Sequence, residues 1–156
     1  MIICKADEKH ADIVYDITVK TIRSIYPKYY PSGAVDYFLY YHRIENIRND
    51  IASGYVYILI NNDSETVGTV TINNNEINRL FVLPEHQGNG YGSLLLDFAE
   101  KRIFESYDKI VISASLPAKQ IYLRRGYTEI SYNTIKTDNG DFLCYDEMKK
   151  IKNKDV

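Results

Sequence analysis

The sequence predicts one α/β (α+β) domain in which helices cover both faces of a mixed β-sheet. The hydrophobic pattern has a helical period up to about residue 53, and it becomes strand-like from residue 55 to residue 83. Strands and helices then alternate, which gives the order β-α-α-α-β-β-β-α-β-α-β-β. The length of 156 residues suits a single core, and no repeat or linker divides the chain.

The chain is predicted to begin with a short strand over residues 2–5 and a long helix. Asp7 precedes the helix, where a carboxylate can accept hydrogen bonds from the free N–H groups of the first turn. Pro27 and Pro31 end the helix because proline breaks the hydrogen-bond pattern. Its buried face recurs at helical spacing: Val14, Thr18, Ile22 and Ile25.

Two further helices and a three-strand meander follow. Ser32 is expected to cap a helix over residues 34–42, and a third short helix over residues 44–51 closes near Gly54. The asparagine-rich turns at residues 61–63 and 73–75 separate three β-rich segments. These segments are residues 55–60, 66–72 and 76–83.

The last part of the chain is predicted to form a helix, a strand, a second helix and two strands. The apolar strand is expected to be central and parallel to its neighbour, and Asp138-Asn139-Gly140 favours a hairpin between the last two strands. The five elements are residues 93–106, 110–114, 117–125, 127–135 and 142–148. Residues 1–148 therefore form the domain, and residues 149–156 are expected to be a frayed basic tail.

Composition limits the kinds of molecule that the protein is expected to bind and the cell compartment in which it is expected to lie. The net charge is −2 at 26% charged residues, so no basic surface indicates a nucleic acid or an anionic membrane. No apolar run approaches the length of a membrane span. The apolar stretch at the start of the chain is too short for a secretory signal, because Lys5 already introduces a charge. Cys4 and Cys144 are expected to be reduced thiols, and the predicted location is cytoplasmic.

Three glycines at alternate positions, Gly88, Gly90 and Gly92, separate a strand from a helix. A Walker loop requires a lysine before Ser93, and a dinucleotide fingerprint requires G-x-G-x-x-G after the first strand of a βαβ unit. Neither requirement is met. Two interpretations stay open: backbone amides at a helix N-terminus that hold an anion such as a pyrophosphate, or only a tight strand-to-helix turn.

Two motifs in this order resemble those of the GCN5-related N-acetyltransferase (GNAT) family. Gln87-Gly88-Asn89-Gly90-Tyr91-Gly92 is similar to the family's Gln/Arg-x-x-Gly-x-Gly/Ala signature, and Val82-x-Pro84 precedes it. Ser115-x-x-Ala118-x-x-x-Tyr122-x-x-x-Gly126-Tyr127 is similar to the family's Asn-x-x-Ala-x-x-x-Tyr-x-x-x-Gly-Phe. The resemblance spans nearly the whole chain, and it implies a mostly antiparallel central sheet. Ser115 departs from the family's asparagine, and its shorter side chain would weaken a contact to the cofactor.

The resemblance implies acetyl-coenzyme A as the acyl donor. Backbone amides from Gly88 to Ser93 would hold its pyrophosphate. The strand edge around Phe81 and Val82 would pair with the pantetheine arm like an added strand. The implied binding residues are Phe81, Val82, Gln87, Gly88, Asn89, Gly90, Tyr91, Gly92, Ser93, Ser115, Ala118 and Tyr122.

The implied reaction is transfer of the acetyl group to a primary amine by direct attack in a ternary complex. Tyr122 would donate to the thiolate leaving group, because tyrosine is protonated at neutral pH; the alternative is a packed helix tyrosine. A backbone amide near Phe81 or Val82 would stabilise the oxyanion.

Glu76 is the candidate base. Strand alternation would place it on one face with Asn78, Leu80 and Val82. The alternatives are a solvated turn carboxylate, paired with Arg79 or a lysine, and proton removal through water.

Aromatic residues in the segment between the first helices are candidates for an acceptor pocket, since rings bind ammonium groups by cation–π contact. Ordinary packing is the alternative for the same residues: Tyr26, Tyr29, Tyr30, Tyr37, Tyr40, Tyr41 and His42. The favoured acceptor is a small amine such as a polyamine. A protein or peptide amine, and a non-catalytic acetyl-coenzyme A sensor, remain as alternative functions.

The resemblance also bears on charge and assembly. Lys119, Arg124 or Arg125 would meet the 3′-phosphate of coenzyme A, or they form a solvated helix face. His86 is expected on the surface. A homodimer is compatible with the family, and no metal is expected because the three histidines form no ligand cluster.

Overall fold

The computed structural model describes residues 1–154 and contains one seven-stranded sheet. The strand order is β1-β2-β3-β4-β5-β7-β6, and every neighbouring pair is antiparallel except β4 and β5. The mixed, mostly antiparallel sheet is therefore confirmed. The strands are β1 (Ile2–Lys5), β2 (Val56–Ile60), β3 (Thr66–Asn73), β4 (Glu76–Val82), β5 (Lys109–Ser115), β6 (Thr128–Lys136) and β7 (Phe142–Ile151).

Five α-helices within residues 1–154 cover the two faces of the sheet. α1, α2 and α3 pack on one face, in two apolar clusters, and α4 and α5 share a third cluster on the other face. None of the helices within residues 1–154 is long and apolar enough to cross a membrane. The helices are α1 (Ala11–Ile25), α2 (Ser32–Tyr41), α3 (Ile44–Ala52), α4 (Tyr91–Phe104) and α5 (Leu116–Arg124).

Local sequence signals explain where the first helices begin. The Asp7 carboxylate accepts a hydrogen bond from the Lys9 N–H, and His10 accepts one from the Asp7 N–H, which forms a reciprocal cap on a short 3₁₀ turn before α1. Pro31, rather than the expected Ser32, is the cap residue of α2. Its extended backbone conformation starts the helix without a side-chain hydrogen bond.

The parallel pair of β4 and β5 is short. Only Glu76 with Val111 and Ile77 with Ile112 are register partners, although each strand has seven residues. Beyond this point β5 continues to pair with β7 alone, up to Ser115 with Tyr145. The two central strands therefore separate and leave a gap in the middle of the sheet.

A β-bulge at Arg79 changes the side-chain pattern of β4. Arg79 has a φ of 46°, and the register with β3 shifts in this region. The expectation that Glu76, Asn78, Leu80 and Val82 share one face is therefore wrong. Leu80 and Val82 pack in the cluster under α4, because the extra residue reverses the alternation.

The expected end of the domain at residue 148 is too early. β7 continues to Ile151, because Lys149, Lys150 and Ile151 pair with the first residues of β5. The Lys150 Nζ also donates to the Glu100 carboxylate at 2.8 Å. Residues 152–154 have no regular structure, and residues 155–156 lie outside the described part of the chain.

Truncation after Met148 should lower the free energy of unfolding by about 2 kcal/mol or more, because it removes three residue pairs with β5 and one with β6, and it leaves the buried Glu100 without Lys150 as a donor. Truncation after Asn153 is the matched control, since it keeps β7 and the contacts of Lys152. Urea unfolding measures both effects. Equal stability of the two truncated chains would contradict the structural role of residues 149–151.

Candidate active site

The three glycines form the link between β4 and α4. Gly88 and Gly90 have φ angles of 82° and 81°, a conformation that only glycine adopts without strain. Gly90 is the cap residue of α4, and the helix begins at Tyr91, two residues earlier than predicted. Gly92 is therefore inside the first helical turn. The free amides of this turn point out of the helix N-terminus, where an anion is stabilised.

Side chains fix the end of β4 beside this loop. The Val82 carbonyl accepts hydrogen bonds from the Thr21 hydroxyl at 3.1 Å and from the Gln87 amide at 3.0 Å. α1, β4 and the glycine loop are thus joined at one backbone atom. Asn89 donates to the His86 carbonyl, so its side chain stabilises the loop itself.

A cavity of about 640 Å³ lies along the loop. Its other wall comes from α1, the segment after it, and α5, through Thr21, Lys28 and Ile121 among others. Asn89 does not line this cavity, but the other predicted loop residues do. These are Gln87, Gly88, Gly90, Tyr91, Gly92 and Ser93.

A second cavity of about 260 Å³ lies on the other side of the gap between β4 and β5. Its walls combine seven tyrosine and phenylalanine side chains with aliphatic and polar ones, and no aspartate or glutamate of the described chain lines it. Of the residues predicted for an acceptor pocket, Tyr29 and Tyr40 do not line this smaller cavity, and Tyr30 packs behind its wall. The polar and aromatic residues that line it from α2, the residue after α2, and β4 are Tyr37, Phe38, Tyr41, His42, Asn78, Arg79 and Phe81.

The two cavities meet at Tyr122. Its hydroxyl makes no hydrogen bond within residues 1–154, and the Tyr127 hydroxyl is the one buried side-chain polar atom there without a partner. The Tyr122 hydroxyl is therefore open to the cavities. Burial raises the pKa of Tyr122 well above its usual value, with smaller contributions from Tyr26 and Glu100. The residues common to both cavities are Tyr26, Leu80, Phe81, Ser115, Ala118 and Tyr122.

Two tyrosines attach the segment after α1 to the strand ends around Tyr122. The Tyr26 hydroxyl donates to the Ser115 hydroxyl at 3.3 Å. The Tyr30 hydroxyl donates to the Cys144 carbonyl and accepts from the Leu116 N–H, both at 2.8 Å. These contacts hold Tyr26 and Ser115 at the junction of the two cavities.

A buried polar cluster lies in the wall of the smaller cavity. The Arg79 guanidinium donates from Nη1 to Asp50 at 2.8 Å and to Thr71 at 3.0 Å, and from Nε to Nδ1 of His42 at 3.3 Å. Burial, and secondarily the Arg79 charge, lowers the pKa of His42 from 6.5 to about 3. His42 is therefore a neutral imidazole, and Arg79 carries the formal charge in this wall.

Glu76 is not brought to Tyr122. It is exposed at the start of β4 and lines neither cavity. Arg79, one of the partners considered for it in the alternative interpretation, pairs with Asp50. The bulge in β4 and the separation of β4 from β5 determine where Glu76 lies. Neither feature can be predicted from the hydrophobic periodicity of the sequence.

Two of the three cationic residues predicted in and after α5 are paired with carboxylates, and Arg124 lines neither cavity. Lys119 pairs with Glu129 and Asp146, and Arg125 pairs with Asp97 and Glu100. Lys28 lines the larger cavity instead. Sequence reasoning missed it, although it lies inside the tyrosine-rich segment. His86 is partly exposed and lies 3.8 Å from Glu65.

The described residues contain no group of three or more histidines, cysteines, aspartates or glutamates placed to hold a metal ion. Cys4 and Cys144 are free thiols.

The family described as the acetyltransferase (GNAT) domain matches residues 25–150. No curated protein matches the sequence. Several solved structures are similar in fold.

A GCN5-related N-acetyltransferase structure from Rhodopseudomonas palustris matches with a TM-score of 0.86 at 20% identity, over 96% of this chain and 94% of that chain. PaiA N-acetyltransferase from Thermoplasma acidophilum, solved with coenzyme A, gives a TM-score of 0.71 at 18% identity over 96% and 98%. Ribosomal-protein-alanine N-acetyltransferase from Brucella melitensis gives 0.71 at 17% identity over 97% and 99%. At these identities the likeness shows the fold.

Acid should destabilise the protein partly through His42. Below its usual pKa near 6.5 the unfolded chain protonates His42, whereas the folded chain resists protonation down to about 3. Stability is therefore lost progressively as the pH falls through this window and is unaffected above it. His42→Asn keeps an acceptor for Arg79 and cannot titrate, so its stability should fall less steeply in urea unfolding between pH 7 and pH 4. Parallel pH profiles for the two proteins would contradict this role.

Proposed function

The chain belongs to the GNAT acetyltransferase family, whose domain spans residues 25–150, and on that premise we propose that it acetylates the primary amine of a small molecule with acetyl-coenzyme A. The observation that supports this most strongly is the meeting of two cavities at Tyr122, in the gap between β4 and β5. One cavity follows a loop suited to a pyrophosphate, and the other has aromatic walls suited to an acceptor.

The larger cavity is the donor site in this proposal. The free amides at the start of α4 bind the pyrophosphate of acetyl-coenzyme A, as the glycine conformations allow. Lys28 pairs with a phosphate, since it is the basic residue of the described chain that lines this cavity. The pantetheine arm enters the gap along β4, beside Phe81 and Val82, where β5 no longer pairs with the strand.

The chemistry takes place where the two cavities meet. The neutral amine attacks the thioester carbonyl carbon, a C–N bond forms, and the C–S bond breaks as the tetrahedral intermediate collapses. Tyr122 donates its hydroxyl proton or a strong hydrogen bond to the departing thiolate. Its raised pKa keeps the hydroxyl protonated before attack. When the proton is transferred, the phenolate regains one from the attacking nitrogen through water, because that nitrogen loses a proton as the amide forms.

Removal of the amine proton is assigned to water. No carboxylate of the described chain lines the acceptor cavity, and the Nδ1 of His42 is engaged by Arg79 in a setting that opposes protonation. Glu76 remains the alternative base, acting through a water chain from outside the cavity. We place the enzyme in the cytoplasm, because Cys4 and Cys144 are free thiols, as is typical of that compartment, and the donor acetyl-coenzyme A is found there.

The volume of the smaller cavity, about 260 Å³, supports a small amine over a protein segment as the acceptor. Its aromatic walls can hold one ammonium group before deprotonation. A polyamine is the weaker candidate within this class, because its second ammonium would find no carboxylate among the described lining residues.

Acetyl-coenzyme A should raise the melting temperature, because it binds the folded state alone. Gly90→Ala should reduce this shift at a given ligand concentration, since alanine disfavours the backbone that presents the amides. Gly140→Ala is the matched control: Gly140 has a φ of 87° and equally open surroundings, in a hairpin turn far along the chain. No shift with millimolar ligand would exclude the donor site, and equal shifts in both variants would exclude the loop.

Tyr122→Phe should retain the thermal shift with acetyl-coenzyme A and lower kcat by about 100-fold or more, because the leaving thiolate loses its donor. Tyr127→Phe is the control, since its ring lies 5.4 Å from that of Tyr122 and its hydroxyl has no partner within residues 1–154. Thiol release measures both variants. Unchanged turnover in Tyr122→Phe would refute the acid role.

Glu76→Gln should leave the pH–rate profile of thiol release unchanged if water removes the proton. A selective loss of rate below neutral pH would restore Glu76 as the base. A protein that binds acetyl-coenzyme A and releases no thiol with any amine would instead be a sensor.

A further inference from the structure

The Arg79 side chain is built into the acceptor cavity at a structural cost. A φ of 46° is unfavourable for a non-glycine residue, and the bulge that contains it interrupts a central strand. The side chain is only 4% exposed, so the guanidinium is also largely removed from water. Strain and burial at one residue are typical of a position that serves a ligand.

Three of the donors of this guanidinium are already occupied, and their partners fix its orientation. Asp50 and Thr71 bind Nη1, and His42 binds Nε. Nη2 has no hydrogen-bond partner within residues 1–154. It is also not a fully buried atom, because the Tyr127 hydroxyl is the one fully buried side-chain polar atom in that part of the chain that lacks a partner. Since Arg79 lines the smaller cavity, Nη2 is open to its contents.

The remaining lining makes this donor the main polar feature of the cavity. Asp50 balances the charge of the Arg79 guanidinium from outside the cavity, since Asp50 pairs with Arg79 and does not line the cavity. Asn78 and Tyr37 line the same space, and their side-chain polar groups have no partner within residues 1–154. The cavity thus offers several hydrogen-bond donors, one of them cationic, and no anion for a second ammonium.

We infer that the acceptor is an amino carboxylate whose amine lies at Tyr122 and whose carboxylate accepts a hydrogen bond from Nη2 of Arg79. A charge-assisted hydrogen bond from a buried guanidinium is stronger than one from a neutral donor. Arg79 is then a specificity-determining residue, and the aromatic rings enclose the body of the substrate. The inference rests on the acetyl transfer proposed above.

A matched panel tests the inference without altering the protein. Each α-amino acid, and a series of ω-amino acids of increasing length, is compared with its carboxamide and with the amine that lacks the carboxylate, by thiol release from acetyl-coenzyme A. The inference predicts at least one acid whose kcat/KM exceeds that of its amide by 10-fold or more. Equal or better turnover of all amides and simple amines would overturn it, and so would turnover of none of the acids.

Arg79→Lys tests the residue. Lysine keeps the charge beside Asp50 but lacks the fork that reaches both Asp50 and the cavity. The preference for acid over amide should therefore fall toward one. Arg48→Lys, on the exposed surface of α3, should keep the preference of the parent. An unchanged preference in Arg79→Lys would overturn the assignment.

The two proposals fail in different ways. Loss of the thermal shift with acetyl-coenzyme A would remove the acetyl transfer itself. A normal shift with turnover restricted to amines without a carboxylate would remove only the role of Arg79.

Discussion

The separation of β4 from β5 is the constraint on which the rest of the molecule depends. The parallel pair holds at Glu76 and Ile77 and then ends, while β4 continues to pair with β3 up to Val82 and β5 with β7 up to Ser115. A sheet that opens in its centre exposes backbone and side chains that a continuous sheet would bury. The packing of α1 and α4 on opposite faces stabilises the open form, and the two cavities occupy the space that results.

The two ends of this gap have opposite chemistry. At one end the glycine loop presents amide groups at the start of α4, beside Lys28, so this end favours anions. At the other end aromatic rings and one oriented guanidinium surround a small space. Tyr122 lies between them with an open, protonated hydroxyl. An acyl donor with a phosphate tail and a small acceptor can therefore bind from opposite sides and meet at one hydroxyl.

Local signals in the sequence predicted much of this arrangement, because they depend on neighbouring residues. Asp7 marked the start of the first helix and the glycines marked the strand-to-helix link, whereas Tyr122 was a candidate through its position in a family motif. The bulge at Arg79 could not be predicted, since it depends on contacts with Asp50 and His42 from distant helices. The same bulge explains why alternation failed in β4. The basic residues in and after α5 were candidates by type alone, and carboxylates outside the site bind two of them, Lys119 and Arg125.

Hydrogen–deuterium exchange with and without acetyl-coenzyme A tests the central claim most directly, that the donor binds in the gap between β4 and β5. The account predicts slower exchange in two stretches at once, the amides from Leu80 to Val82 and those from Gly88 to Ser93. The hairpin turn at residues 61–65 provides an internal reference and should be unaffected. Protection confined to another surface, or no protection at either stretch, would contradict the account.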